Sequence, residues 1–363
     1  MFKNIYNDKK VLITGNTGFK GSWLSLWLHS LGAKVYGLSV NIPTTPSNYE
    51  TSEIYNFTSQ TFIDIVNNTD VLSLIDGIKP DFIFHLAAQP IVQESYADPY
   101  NTMNTNIMGT VSVLEALRIL NHPCIAVFIT SDKCYNNVEW VWGYKETDAL
   151  GGKDPYSASK GAAELMIKTY SESYFKSEKS NVKVASGRAG NVIGGGDWAA
   201  FRIIPDAIRA WYTNKELIIR SPKATRPWQH VLEPLSGYLR LGQLLCENKD
   251  LCGESFNFGP KPDTNLSVEQ LLIEMAEHWD SFKWRVVDEV INKEAGLLKL
   301  NCDKALFYLD WVPNLNANKT IQMVAEWYKH YYNNSDKSMQ DFTSEQIREY
   351  ESFANKNGLA WVK

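Results

Sequence analysis

Short apolar runs alternate with helical stripes through the first half of the chain. Val11-Leu12-Ile13-Thr14 stops at Gly15 and predicts a buried strand. Trp23, Leu24, Trp27, Leu28 and Leu31 share one helical stripe, which Gly32 ends. Lys34 to Leu38 predicts a second strand and Phe62-Ile63-Asp64-Ile65 a third. Val71 to Ile78 reads as a short helix closed by Lys79-Pro80, and Phe82 to Ala88 as a fourth strand. Asn104 to Leu120 has helical spacing, Ile125 to Thr130 predicts a strand, Ser157 to Phe175 a long helix and Val182 to Arg188 a strand. Strands alternating with helices make βαβ units, so the expected fold is α/β, a doubly wound parallel sheet covered on both faces. After Arg188 the rhythm becomes irregular, which predicts a smaller mixed α/β domain over 188–363 beside a first domain over 1–187. A helix at Val231 to Leu245 suggests a return to the first domain near 231–258. The charged end, Lys337 to Lys363, is expected to be a peripheral appendage with a helix at Ser344 to Phe353.

Composition narrows the function. The chain has 363 residues, 44% hydrophobic and 21% charged, enough for one large or two modest domains. With 36 Lys+Arg against 41 Asp+Glu, its charge of −5 exerts no general pull on nucleic acid or anionic membrane. Anionic ligands must therefore be caught locally. The five cysteines include no Cys-x-x-Cys pair, which argues against a disulfide framework or zinc site and for a reducing cytoplasm. The first ten residues lack an apolar signal core, and no run is long enough to span a bilayer.

The chemistry begins at the first strand–helix turn, Gly15-Asn16-Thr17-Gly18-Phe19-Lys20-Gly21. Glycines there let the backbone approach a pyrophosphate, and the helix N-terminus offers free N–H groups and partial positive charge. In a βαβ series this marks a Rossmann-like dinucleotide site. Tyr156 and Lys160 stand four apart at the start of the long helix, hence on one face. A lysine ammonium beside a tyrosine hydroxyl favours the phenolate, a base for a sugar hydroxyl. Ser131 ends the fifth strand, where ligands of parallel sheets bind, and Asp132 and Lys133 follow it at the lip of the same cleft.

The loop resembles that of the extended short-chain dehydrogenase/reductases. Together with Ser131-Asp132-Lys133-Cys134-Tyr135, Trp140 to Tyr144, Gly151 to Lys160, Gly187 to Trp198 and Arg226 to Val231, it resembles the CDP-glucose 4,6-dehydratases over roughly residues 10 to 330. That resemblance implies a redox-neutral hydro-lyase that uses tightly held NAD to make a 4-keto-6-deoxy sugar for deoxyhexose and surface-polysaccharide synthesis. It implies Tyr156 as the base at the 4-OH, Asp132 as the acid at the 6-OH and Lys133 in the position of the C5 base. By matched position, Asp64, Ile65, Leu86, Ala87, Ala88, Gln89 and Asn106 join the loop, Tyr156 and Lys160 around NAD. Asn191, Arg202 and Arg226 join Ser131 around the nucleotide sugar. A homodimer or tetramer is expected. The second strand ends Leu38-Ser39-Val40 without the acidic residue that favours NAD, so that preference rests on the resemblance. The alternatives are a nucleotide-sugar 4-epimerase or reductase, which needs no acid/base pair after Ser131, a dehydratase of another nucleotide-hexose, and a non-catalytic NAD sensor.

Overall fold

A computed structural model describes residues 1–219, 221–261, 266–279, 283–287, 296–333 and 336–363. Seven strands form one parallel sheet: β1 (Lys10–Thr14), β2 (Lys34–Ser39), β3 (Thr58–Phe62), β4 (Phe82–His85), β5 (Cys124–Ile129), β6 (Val182–Ala189) and β7 (Ser255–Phe258). Their order is β7-β6-β5-β4-β1-β2-β3, so the chain reverses direction of winding between β1 and β4. Such a switch point leaves a crevice at the carboxyl ends of the strands.

Side-chain alternation sends the central strands into two cores. Val11, Ile13, Phe84 and Val127 enter one core, whereas Leu12, Ile83, Ala126 and Phe128 enter the other. Helix α1 (Phe19–Ser30) packs in the first core, and α2 (Asn68–Ile78), α3 (Gly109–Ile119) and α4 (Pro155–Tyr170) cover the opposite face. Helix α5 (Leu232–Glu247) also lies under the sheet, and the Tyr6 hydroxyl donates to Leu239 O at 2.6 Å. The chain then supplies β7 beside β6, from Ser255↔Ser186 to Phe258↔Ala189. Outside these returns, short ladders join Val192–Ile193 to Gln229–His230, Thr225–Arg226 to Leu266–Ser267 and Leu217–Ile219 to Trp284–Val286.

Two expectations change. The third strand is Thr58–Phe62, not 62–65, and Ile63 to Ile65 lie beyond its end. It is an edge strand whose register comes from backbone pairing, Val35↔Thr58 to Ser39↔Phe62, so it needs no apolar run. The apolar Ile65 instead enters the core after the strand has ended. The C-terminal segment is not peripheral. Its helix α7 (Met339–Lys356) follows α6 (Ala317–Tyr332) and packs on α1, with Trp27 Nε1 donating to Glu351 Oε1 at 2.9 Å. Trp361 is fully buried and stacks on Phe2 with centroids 5.1 Å apart. Large aromatic surface outweighs the charge of the exposed positions in deciding where this segment lies.

Candidate active site

The crevice is a cavity of about 650 Å³ lined by the glycine loop, the ends of β2, β4 and β5, the start of α4 and residues 189–194. Gly15, Thr17, Gly18, Phe19, Lys20 and Gly21 face it. Gly15 has φ +76°, and a Cβ there would lie 2.8 Å from Ala87 N. At Gly18, the N-cap of α1, no side chain caps the helix, so its first N–H groups are open to a ligand. These features fit a dinucleotide diphosphate.

Asn16 departs from its expected place. It is buried away from the cavity, accepting from Ser39 Oγ at 2.9 Å and donating from Nδ2 to Gln60 Oε1 at 2.6 Å. Thr17 N donates to the same Ser39 hydroxyl at 3.3 Å. The residue in the usual acidic position thus holds the loop from beneath. Gln89 and Asn106 also act at one remove: Asn106 Oδ1 accepts from Gln89 N at 2.8 Å, and Nδ2 donates to Ser159 Oγ at 2.8 Å. Asp64, Ile65, Leu86, Ala87 and Ala88 line the cavity itself.

Ser131, Asp132, Lys133, Tyr156 and Lys160 line the same cavity as Asn191, Arg202 and Arg226. Ser131 caps a tight turn over Asp132–Cys134, accepting from Lys133 N at 3.2 Å and donating to Asp132 Oδ1 at 3.0 Å. Asp132 Oδ2 is buried with no hydrogen-bond partner among the described residues, as is Asn191 Oδ1. Asp154 caps α4 through Ser157 N at 2.9 Å, and Pro155 opens the helix. That start places Tyr156 in the first turn and Lys160 one turn on.

Burial pushes Tyr156 up to about 12, with the Ser131 hydrogen bond opposing. The direction is opposite to the phenolate expected from spacing alone. Burial also pushes Lys160 down to about 8, against the pull of Glu164. Lys20 falls to about 8 through burial and then the charge of Arg202. Lys20, Lys160, Arg202 and Arg226 bring basic groups to a cavity that Asp64, Asp132, Asp197 and Asp206 also line.

Spacing missed two partners. Asp197 binds Arg202, Oδ2 to Nη1 at 2.9 Å, so part of that guanidinium is already engaged. His85 lies between Thr14 Oγ1 at 2.8 Å and Thr110 Oγ1 at 3.2 Å, kept neutral by burial, which pushes it down to about 3. Asp197 closes the Gly194-Gly195-Gly196 loop, and that motif was its only signal. His85 had none beyond its place at the end of a strand.

A family model described as GDP-mannose 4,6 dehydratase matches residues 12–324. The CDP-glucose 4,6-dehydratase of Salmonella typhimurium is 44% identical over 338 residues, 92% of this chain and 94% of that protein. The CDP-paratose 2-epimerase of Salmonella typhi is 25% identical, over 88% of this chain and 98% of that protein. Among solved structures, an epimerase from Methanothermobacter thermautotrophicus superposes with TM-score 0.78 at 22% identity, covering 92% of this chain and 96% of its own. A dTDP-glucose 4,6-dehydratase from Bacillus anthracis, in complex with NAD, superposes with TM-score 0.72 at 19% identity, covering 90% and 98%. These two share the fold. The 44% identity, running nearly end to end, places the chain in the CDP-glucose 4,6-dehydratase family, within the wider family of the GDP-mannose 4,6-dehydratase model.

Proposed function

We propose that this chain converts CDP-glucose to CDP-4-keto-6-deoxyglucose by NAD-dependent 4,6-dehydration. The observation that carries the reading is the placement of Asp132 and Lys133 beside Ser131, in the cavity that also holds Tyr156 and Lys160. A 4-epimerase needs only the serine, tyrosine and lysine. An acid and a base aimed at C5 and C6 serve an elimination.

In this reading residues 1–187, with the return near 231–258, bind NAD, and the remainder holds the nucleotide sugar. Gly15 to Gly21 receive the cofactor diphosphate, Asp64 and Ile65 the adenine, and Leu86 to Ala88 the stretch between. Bound NAD supplies a reversible hydride acceptor between C4 and C6. Ser131 orients the 4-OH, and Tyr156 takes its proton, assisted by the Lys160 charge. The new ketone acidifies the C5 proton, which Lys133 removes. Asp132 protonates the departing 6-OH, so the C6–O bond breaks and water leaves. Asn191, Arg202 and Arg226 hold the sugar and its diphosphate, a task suited to guanidinium. Support for a homo-oligomer comes from the exposed Tyr100, Met108, Leu165 and Tyr174 on neighbouring helices. We place the enzyme in the cytoplasm and its product in deoxyhexose synthesis for surface polysaccharide.

The test is conversion of CDP-glucose carrying deuterium at C4. Label is expected at C6, with solvent hydrogen at C5 and 4-keto absorbance in the product. Unchanged sugar, or a C4 epimer, would overturn the reading. Parallel assays with dTDP-, UDP- and GDP-linked hexoses test the base preference.

A further inference from the structure

Behind the catalytic wall lies a buried ion pair that the reaction above does not use. Glu164 and Arg188 are 3% and 4% exposed and meet at 2.7 Å, Nη2 to Oε2. Both carboxylate oxygens are occupied: Thr130 Oγ1 donates to Oε1 at 2.5 Å, and Ser186 Oγ donates to Oε2 at 2.9 Å. Arg188 Nη1 donates to the Tyr135 hydroxyl at 2.8 Å and to Glu146 O at 3.2 Å. The pair thus links three catalytic supports: Thr130, which precedes Ser131; Tyr135, which follows the Asp132–Cys134 turn; and α4, which carries Tyr156 and Lys160.

Desolvating two charges costs more than an apolar pair of the same volume, so stability alone does not account for this one. What an apolar pair cannot supply is a fixed negative charge. Glu164 follows Lys160 by four residues, one turn along the same helical face. Lys160 is 5% exposed.

We propose that Glu164, held by Arg188, is a positioning residue that keeps Lys160 charged beside Tyr156 and ties the Ser131–Asp132 turn to α4. This rests on the Tyr156–Lys160 couple of the proposed reaction. The groups that act on Lys160 are Glu164 from its own helix, Cys134 from the turn after β5, His85 from β4 and Lys20 from the glycine loop, and Tyr156 stands four residues before it on the same helix. Burial keeps the Cys134 thiol and the His85 ring neutral. Lys20 is a like charge, which leaves Glu164 as the anion of the group. Burial acts to neutralise Glu164, but Arg188, facing it from β6, and the hydrogen bonds from Thr130 and Ser186 together keep its carboxyl below the ordinary value.

The signs follow. Burial lowers Lys160 and Glu164 raises it, so Glu164→Gln lets Lys160 lose its proton at lower pH. The holoenzyme is assayed for C4 oxidation from pH 6 to 10, and the alkaline limb is expected to move down by about one unit. Competitive acetic anhydride labelling of the Lys160 peptide, read by mass, should show the same displacement. It needs no turnover, so it separates failure of this inference from failure of the proposed reaction. Arg188→Lys keeps the charge and loses the fork, so it should lower thermal stability but leave the limb in place. Should Glu164→Gln not fold, Glu164→Asp, which withdraws the charge by one methylene, should give a smaller displacement in the same direction. A labelling midpoint unmoved in the Glu164 variant, or moved equally by Arg188→Lys, overturns the proposal.

Discussion

Gly21 stands where a Cβ would lie 2.1 Å from the carbonyl oxygen of Gly15. The glycine loop folds back on itself at that point, which brings the start of α1 under the cavity. The atom that would have to yield is backbone, so a side chain cannot be accommodated by a rotamer change. Gly21→Ala should cost about 1–3 kcal/mol of strain. If the loop distorts to relieve it, NAD affinity should fall roughly 10- to 100-fold. Calorimetric titration with NAD checks this. Gly77→Ala is the control: nothing lies within 4 Å of its Cβ, and binding should not change.

Asp132 Oδ2 has no partner among the described residues, whereas Oδ1 is held by Ser131. An acid for the 6-OH needs one such open oxygen. Asp132→Asn should slow elimination by roughly 100-fold or more, the usual worth of a general acid. C4 oxidation should suffer far less, so reduced nicotinamide should accumulate on the enzyme. Stopped-flow absorbance follows it, and equal loss of both steps would remove Asp132 from this role.

Trp361 is fully buried between Phe2 and Tyr350, at centroid distances of 5.1 and 5.8 Å. Trp361→Ala should cost about 3–5 kcal/mol. Urea denaturation measures it. A loss below about 1 kcal/mol would match an exposed appendage rather than a core residue.

Burial pushes Glu233 up to about 7, against donation from Asn314 N, Leu315 N and the Tyr350 hydroxyl. Its ordinary value is 4.5, so the folded chain holds a proton that the unfolded chain releases. That stabilisation is complete below about pH 4.5 and is lost as pH rises through about 7. The displacement corresponds to about 3 kcal/mol. Glu233→Gln cannot titrate, so its thermal midpoint should fall less between pH 4 and 8 than that of the parent. Parallel curves for the two proteins would contradict the assignment.

Local signals carried much of the site. The run Val11 to Thr14, ending at Gly15, placed β1 and its loop because a buried central strand must be apolar and a diphosphate turn must lack side chains. Tyr156 and Lys160 were legible because four residues make one helical turn. β3 was displaced by several residues because an edge strand takes its register from its neighbour. Asn16 lay in the loop motif, yet its amide turned toward Ser39 and Gln60, a choice made by strands distant in sequence. Arg188 lay in the Gly187 to Trp198 motif with no role attached and Glu164 in no motif, and only the apposition of α4 and β6 joins them.

By itself, then, the sequence determined the α/β alternation, the glycine turn and which residues are candidates for catalysis, because each rests on patterns within a few positions. The tertiary structure decided which loop side chains face the cavity, which face Tyr156 and Lys160 take on burial, and where the last 25 residues pack. Those outcomes depend on desolvation and on partners more than 100 residues apart, such as Trp27 with Glu351 and Tyr350 with Glu233. Burial sets the energy of a charge or an indole only once the chain has closed around it.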